Sequence, residues 1–396
     1  MTAVAESRTT SSGSLWRNEF ARGIILQLLV AAAIVAVAAF FIYNTSVNLN
    51  KRGIASGFGF LRNIAGFDIS ITLIPFSIAS STNARAFLVS LINTLLVSAI
   101  GIVLATILGF VIGVARLSRN FIIRTLAAVY VDVLRNVPLL VQIIFWYFGV
   151  LTTLPSVKQS IRIFDVFFLN GRGLYMPAPQ LQPGFWILPV VMVIGIGAAV
   201  AVSVWARRRQ MRTGQQFHSF WSGLALIVGL PLVVGLVGGF HVIWSSPELK
   251  GFNFAGGMVV LPEFVAILLA LSIYTAAFIA EIVRAGVQAV SHGQTEAASA
   301  LGLRPGQVTR LVILPQALRV IVPPLTSQYL NLIKNSSLAV VIGYPELVSV
   351  FMGTVLNQTG QAVEVIAITM AVYLVISLLI SLFMNWYNRR IALVER

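Results

Sequence analysis

The clearest candidate for specific recognition is the stretch at 291–315, where a very apolar chain turns polar and short-helical. It carries one carboxylate, Glu296, followed by the small residues Ala297, Ala298 and, two positions later, Ala300. Such residues offer little bulk to anything that docks against them. Two interpretations are open from these residues: a docking surface for a partner protein, or a solvated loop helix whose acid is incidental.

Local signals predict how this stretch folds. Residues 294–301 have room for about two helical turns, and Ser291 and Gln294 stand at capping-box spacing. Gly302 suits the left-handed residue that ends such a helix. Pro305 can begin a second helix, because its missing N–H is not needed there. We therefore predict a small helix-turn-helix between two long apolar segments.

A second polar cluster lies inside apolar sequence, after Pro323 and Pro324. An unpaired cation in mid-bilayer costs about 2.5–3.5 kcal/mol on insertion scales, so a lysine kept there needs a polar surrounding. It either faces a path through the protein or extends its side chain to the outer membrane interface, and the sequence leaves both open. The cluster consists of Lys334, Asn335, Ser336 and Ser337.

Residues for energy conversion or catalysis are scarce. A nucleotide-binding P-loop needs Gly-Lys-Ser/Thr, and none of the lysines follows a glycine. Proton or sodium coupling needs buried acids, and the acids within the predicted spans, Glu263, Glu281 and Glu364, all lie near an end. The chain has no cysteine, and its three histidines are far apart. We expect no cofactor or metal on this chain.

Composition places the chain in a membrane. Hydrophobic residues make up 58% and charged residues 10%, too little polar surface for a soluble domain. The net charge of +15 does not indicate nucleic-acid binding, because the cations lie in loops between apolar runs. Apolar runs of about 20 residues predict membrane-spanning helices. We predict an all-α helical bundle with eight spans, at 23–43, 88–115, 137–154, 185–205, 220–243, 262–283, 316–334 and 363–387.

The loop charges orient this bundle. Arginine clusters in the short loops place both termini, and the 291–315 stretch, in the cytoplasm. The clusters are Arg116 with Arg119, Arg124 and Arg135; Arg207 to Arg209 with Arg212; Arg304 with Arg310 and Arg319; and Arg389 with Arg390 and Arg396.

The segments outside the spans complete the prediction. Residues 1–22 form a polar cytoplasmic tail, and residues 44–87 are external, with Phe58 and Phe60 among the side chains expected on the membrane surface. Residues 124–136 are apolar on one side and predict an interfacial helix. Residues 155–184 are expected to be an external loop. In the second span, Gly109 and Gly113 have the spacing of close helix packing.

Several motifs resemble the permease subunits of ATP-binding-cassette (ABC) importers. Glu296-Ala297-Ala298, three further residues, Gly302, and Val312-Ile313-Leu314-Pro315 are similar to the EAA loop of that family, with Val312 where the family has Ile. Four further stretches resemble the polar amino acid branch of this family, at 280–286, 314–319, 93–95 and 135–142. The likeness covers roughly 88–155 and 262–390, and general L-amino acid importers are the branch it resembles most.

The resemblance implies a fold and partners. The expected fold is a type I importer permease domain at 88–390, with an insertion at about 156–261 and an extra first helix with a periplasmic segment at 23–87. Expected partners are an ABC ATPase dimer that holds ATP and Mg²⁺, a second and preferably different permease, a periplasmic binding protein, membrane lipid and an L-amino acid. The location is the bacterial inner membrane. A stand-alone secondary transporter or channel, and a membrane enzyme, are the rival classes.

The resemblance also implies roles for residues. In the related permeases the EAA loop sits in a cleft of the ATPase, so Glu296 would pair with a cation there. Ala297, Ala298, Gly302, Leu314 and Pro315 are the other expected coupling residues. The expected substrate path contains Lys334, Asn335, Ser336, Ser337, Gln142, Glu281 and Arg135. For Glu281, an i,i+3 pairing with Arg284 that braces the helix is favoured over a substrate contact.

Overall fold

Helices dominate the structure, a computed structural model that describes residues 19–51, 53, 56–180, 184–239 and 243–391. Most of the predicted tail therefore lies outside the described residues. The α-helices are α1 (Glu19–Lys51), α2 (Asn83–Ala115), α3 (Phe121–Asn136), α4 (Leu139–Ile144), α5 (Ile187–Thr213), α6 (Ser219–Leu224), α7 (Leu230–Val237), α8 (Pro262–Gln288), α9 (His292–Ala300), α10 (Pro305–Val308), α11 (Leu314–Asn335), α12 (Leu356–Thr359) and α13 (Ala362–Ile391). π-Helical segments are Phe145–Leu151, Ala225–Gly229, Thr309–Ile313 and Val348–Val355, and 3₁₀ segments are Phe58–Arg62, Val157–Gln159 and Ser336–Ile342.

The membrane-length helices agree with the predicted bundle. Among the described residues, seven helical segments are long and apolar enough to cross a bilayer. An eighth is obtained if α3 and the helix that follows it are taken as one span, bent by 104°. The prediction of a helical membrane bundle of about eight spans is confirmed.

The bend differs from the simple span predicted at 137–154. Pro138 has no N–H to continue α3, and Val137 before it is extended (φ −90°, ψ 123°). Gln142 is buried, and its Nε2 donates to the carbonyls of Leu134 (3.1 Å) and Val137 (3.0 Å). The amide thus satisfies carbonyls that the end of α3 leaves open. Beyond the bend, six α-helical and seven π-helical residues remain, fewer than a span needs.

The chain divides into two compact units. The first comprises Met1–Ser90 with Val350–Ile376. Its core contains buried residues from the connection after α1, from α2 and from the π-helix before α12. Phe60, expected on the membrane surface, is buried and packs near Phe351, with ring centroids 6.1 Å apart. That expectation is wrong for Phe60, and it holds for the exposed Phe58.

The second unit, Leu91–Ser349 with Ser377–Arg396, is built around α8. Helix α8 packs against α3 and α11 and is the most buried of the membrane-length helices. The Tyr130 hydroxyl donates to the Ile273 carbonyl (2.8 Å), which joins α3 to α8. A hydrogen bond of 3.0 Å between the hydroxyls of Thr106 and Tyr329 joins α2 to α11.

Short strands form a cap that we did not predict. The strands of this β cap are β1 (Ile161–Ile163), β2 (Phe167–Asn170), β3 (Gly173–Met176), β4 (Ala178–Gln180), β5 (Ile243–Ser245), β6 (Glu248–Lys250), β7 (Asn253–Ala255) and β8 (Met258–Val260). They make an antiparallel sheet in the order β1-β2-β3-β8 and the pairs β4-β5 and β6-β7. Because β3 pairs with β8, with Leu174 opposite Val260, the two ends of the inserted region meet.

Candidate functional site

Helix α9, with the turns that follow it, forms the predicted helix-turn-helix, which we call the coupling segment (residues 291–315). The helix begins at His292, and the Ser291 side chain makes no cap hydrogen bond. The predicted capping box is therefore wrong: the amide of Gln294 donates to the backbone carbonyl of Ser291 (3.0 Å) instead. The helix start is held by backbone geometry alone.

The end of α9 follows the prediction at Gly302. Gly302 has φ +78°, the left-handed conformation that side chains disfavour. Its amide donates to the Ser299 carbonyl (2.9 Å), and the Leu303 amide donates to the Ala298 carbonyl (3.3 Å). These two bonds are the Schellman pattern that closes a helix C-terminus. Space around Gly302 is open, so glycine is required for its backbone conformation and not for close approach.

The second half of the segment is fixed to the first and to α11. Pro305 begins α10, as predicted, and the Arg304 amide donates to Gln307 Oε1 (3.0 Å). Gln316 Nε2, near the start of α11, donates to Gln294 Oε1 in α9 (3.2 Å). Leu314 begins α11, and Pro315 lies in its first turn. Helix α9 is therefore joined to α11 by a side-chain hydrogen bond and by the π-helix Thr309–Ile313, which packs against both helices.

The outer face of the coupling segment is exposed. The Glu296 side chain is 70% exposed and pairs with His292 one turn earlier (Oε1 to Nδ1, 2.9 Å). Ala297 is exposed beside it, and Leu301 at the tip is 82% exposed. Ala298, expected on the same face, is only 4% exposed and lies on the inner side of α9. Its small size serves packing within the segment.

Gly302→Ala tests the helix end. We expect a cost of about 1–2 kcal/mol from the left-handed backbone, which corresponds to roughly 5- to 30-fold faster amide exchange at Leu303. Gly306→Ala is the matched control, because Gly306 is also unobstructed and has no positive φ. Hydrogen exchange with mass spectrometry measures both variants. Equal exchange at Leu303 in the two variants would contradict this role of Gly302.

An ion-pair cluster braces the end of α8 next to the coupling segment. Glu281 pairs with Arg284, one turn later, as the sequence predicts. It also pairs with Arg116, just after α2, which we did not predict. The Arg284 Nε donates to Glu281 Oε2 at 3.2 Å. The carboxylate thus fastens the ends of α2 and α8 together, which is a bracing role.

Four residues of the predicted substrate path lie at the end of α11 and at the start of the 3₁₀ helix that follows it. Lys334 is exposed, Asn335 is half-buried and Ser336 is fully buried. The hydroxyls of Ser336 and Ser337 donate to the carbonyls three residues earlier, at 2.7 Å each. Lys334 is therefore the member of the cluster whose charged group is presented outward.

The other two predicted path residues have structural contacts. Gln142 holds the bend between α3 and α4, as described above. The Arg135 guanidinium lies 5.1 Å from the centroid of the Phe278 ring of α8, a cation–π arrangement. Helix α4 packs against α8 and against the 3₁₀ helix that begins at Ser336. The elements that carry Gln142 and Ser336 are thus neighbours.

A buried polar network near residue 345 was missed from the sequence. Glu346 is fully buried and accepts the amides of Val348 (2.8 Å) and Ser349 (2.7 Å) at a helix start. The hydroxyl of Tyr344 donates to the Asn93 carbonyl (3.0 Å). Burial and the nearby Glu346 charge raise the pKa of Tyr344 above its usual value, which keeps the phenol a donor. An acid just before an apolar run is a helix-cap signal that could have found Glu346.

Comparisons with known proteins agree with this architecture. Residues 217–393 match the family of the binding-protein-dependent transport system inner membrane component. The chain is 53% identical to YhdX of Escherichia coli (strain K12), named for an amino-acid ABC transporter permease, over 99% of this chain and 100% of that protein. It is 52% identical to the general L-amino acid transport system permease protein AapQ of Rhizobium johnstonii, over 100% of both chains. The chain belongs to the amino-acid ABC transporter permeases.

A third relative is also aligned over nearly its whole length. The glutamate/glutamine/aspartate/asparagine transport system permease protein BztB of Rhodobacter capsulatus is 44% identical over 95% of each chain. The three alignments therefore cover 95% or more of this permease, whereas the match to the family model begins at residue 217, just before α6.

Proposed function

We propose that this permease moves L-amino acids inward across a bacterial inner membrane, driven by a separate ABC ATPase that docks on the coupling segment. The exposed outer face of α9 carries the proposal. Leu301 is an apolar side chain 82% exposed at its tip, and Glu296 and Ala297 of α9 are also exposed. A solvated apolar tip beside a carboxylate is a surface suited to burial against a partner.

The buried acids support an external energy source. Glu346 accepts helix amides, and Glu364 accepts the Gly57 amide (2.6 Å). Glu281 is held by two arginines. Glu263, in the first turn of α8, accepts from the Tyr147 hydroxyl (2.8 Å). These buried and half-buried carboxylates therefore have structural partners, whereas proton or sodium coupling needs an acid that changes its partner. This favours an ATPase-driven subunit over a stand-alone secondary transporter or an enzyme.

The names of the relatives support the substrate class. AapQ is named for general L-amino acids, and BztB for glutamate, glutamine, aspartate and asparagine. We extend this class to the present permease, with a periplasmic binding protein delivering the amino acid and a second, different permease completing the pathway. ATP and Mg²⁺ belong to the ATPase pair. We propose that both termini lie in the cytoplasm, which the arginine-rich short loops support.

Single cysteines provide the test of docking, because the natural chain has none. Leu301→Cys should react with a membrane-impermeant maleimide in inside-out vesicles and be protected when the ATPase is bound. Gln215→Cys, exposed between α5 and α6, should react from the same side without protection. Reaction of Leu301→Cys that the ATPase leaves unchanged would overturn the proposed docking site.

Lys334→Ala tests the substrate path. If the exposed ammonium contacts the amino acid carboxylate, its loss should lower uptake roughly tenfold, as expected for a charge-assisted hydrogen bond. ATPase association should remain. Lys250→Ala, which removes an exposed lysine of the β cap, is the control. Uptake of radiolabelled amino acid by cells measures both, and unchanged kinetics for Lys334→Ala would assign the lysine to the membrane interface.

A further inference from the structure

The two inserted helical elements pack on each other and leave a groove on one side. Helix α5 contacts α6, the π-helix after it and α7. A cavity of about 430 Å³ lies between α5 and α6 and is open to the outside. Its lining, which we call the floor, combines the small residues Ala199, Ser203 and Gly223 with larger apolar side chains such as Val200 and Leu224. The floor of the groove is therefore mostly apolar.

One basic residue lines the groove, and an arginine cluster follows it along α5. Arg207 lines the groove, and Arg208, Arg209 and Arg212 follow within two turns of α5. Arg209 has local partners, since it lies 5.4 Å from the Trp205 ring centroid and donates to Gln215 (2.9 Å). The sequence 166–247 contains no aspartate or glutamate. The segment from α5 to α7, which we call the hairpin, therefore supplies no carboxylate to pair with the arginines.

From this combination we infer that the groove binds one anionic glycerophospholipid. An acyl chain lies along the apolar floor, and the phosphate pairs with Arg207, whose guanidinium matches two phosphate oxygens. Basic pockets between membrane helices on the cytoplasmic side bind anionic head groups in this way. The inference rests on the orientation of the hairpin in the membrane and does not depend on the coupling segment.

A helix of a second permease is a poorer occupant. The positive-inside bias gives neighbouring spans basic ends on the cytoplasmic side, which would place cations near Arg207 and the arginines that follow it. An anionic head group neutralises them. The arginines alone would also be explained by the positive-inside bias, without any lipid site. The apolar groove beside Arg207 is the additional feature that indicates a binding site.

Native mass spectrometry of the detergent-purified transporter complex tests the head-group contact. Palmitoyl-oleoyl phosphatidylglycerol should be retained in preference to phosphatidylcholine with the same chains. Arg207→Gln should weaken that retention about fivefold, the effect of one basic residue near an anionic surface. Arg119→Gln, which removes an exposed arginine outside the hairpin, should leave it unchanged. Equal retention of the two lipids, or equal loss in both variants, would overturn the inference.

Filling the groove tests the acyl-chain contact separately. Ser203→Leu should reduce phosphatidylglycerol retention, whereas Val193→Leu, on the exposed surface of α5, should not. Inorganic phosphate at the same concentration should fail to displace the lipid, and full displacement would indicate a simple anion site and contradict the proposal. A benzophenone attached at Ser203→Cys should form lipid adducts, and adducts with the second permease instead would also contradict it.

Discussion

Leu301→Asp is expected to separate the permease from its ATPase. The leucine is 82% exposed at the tip of α9, so its removal costs the isolated permease little. In the complex, the aspartate would place an unpaired charge in a contact that the leucine fills. Central apolar contacts of this kind contribute at least about 2 kcal/mol, or roughly 30-fold in affinity. Co-purification of the ATPase in detergent and uptake of labelled amino acid should both fall by at least that factor.

Phe164→Asp is the matched control for Leu301→Asp. Phe164 is also an exposed apolar residue, at 87%, and it lies in the β cap with φ +55°, where aspartate is tolerated better than phenylalanine. ATPase co-purification should be unchanged in this variant. Glu296→Lys should resemble Leu301→Asp, because it reverses the neighbouring charge. Normal ATPase association in both coupling-segment variants would exclude α9 as the docking element.

Gly109→Ala is expected to destabilise the permease strongly. A Cβ at Gly109 would lie 2.5 Å from the Cβ of Ile279 and 3.0 Å from the Ala276 carbonyl. The backbone of α8 cannot yield as a flexible side chain would, so α2 and α8 must separate. Overpacking costs about 1–3 kcal/mol, occasionally more, and the melting temperature in detergent should fall by several degrees.

Gly101→Ala provides the comparison in the same helix. A Cβ there would meet the Leu332 side chain at 3.4 Å, an ordinary contact. Alanine also favours helix over glycine by roughly 0.8–1 kcal/mol in soluble hosts. The variant should melt at or above the temperature of the natural permease. If Gly109→Ala and Gly101→Ala melt alike, the close contact of α2 with α8 is not what stabilises this unit.

Local signals were sufficient to predict the coupling segment. Gly302 and Pro305 act through their own backbones, so their positions can be read without knowledge of the fold. The Ser291 cap failed because a side-chain cap needs the correct rotamer as well as the correct spacing. Ala298 faces inward because α9 packs on the residues after Pro305, a contact that the pattern of alanines does not specify.

The β cap was missed because its strands are only three or four residues long. A turn signal was present at Asn170 to Gly173, because asparagine and glycine are common in turns. Asn170 pairs with Gly173, so Gly171 and Arg172 form the two-residue connection between β2 and β3. The partner of β3 is β8, which lies on the far side of the inserted helices. Pairing across such a separation depends on tertiary structure and cannot be derived from periodicity.

Buried polar and aromatic residues were equally hard to place. Phe60 occurs in a short, glycine-rich segment in which a surface helix and a core side chain have the same composition. Glu346 is stable in the interior because two amides meet its carboxylate. Arg116 reaches Glu281 across 165 positions of sequence. In each case the residue's position is determined by a contact or a local backbone conformation that the sequence pattern does not reveal.

Accumulation of amino acid in proteoliposomes tests the central claim that motion enters through the coupling segment. With the ATPase, the second permease, the binding protein and ATP, the transporter should concentrate amino acid against its gradient, and Leu301→Asp should abolish this. The purified permease alone should give no uphill accumulation, with or without a proton or sodium gradient. Uphill accumulation by the permease alone would contradict the account.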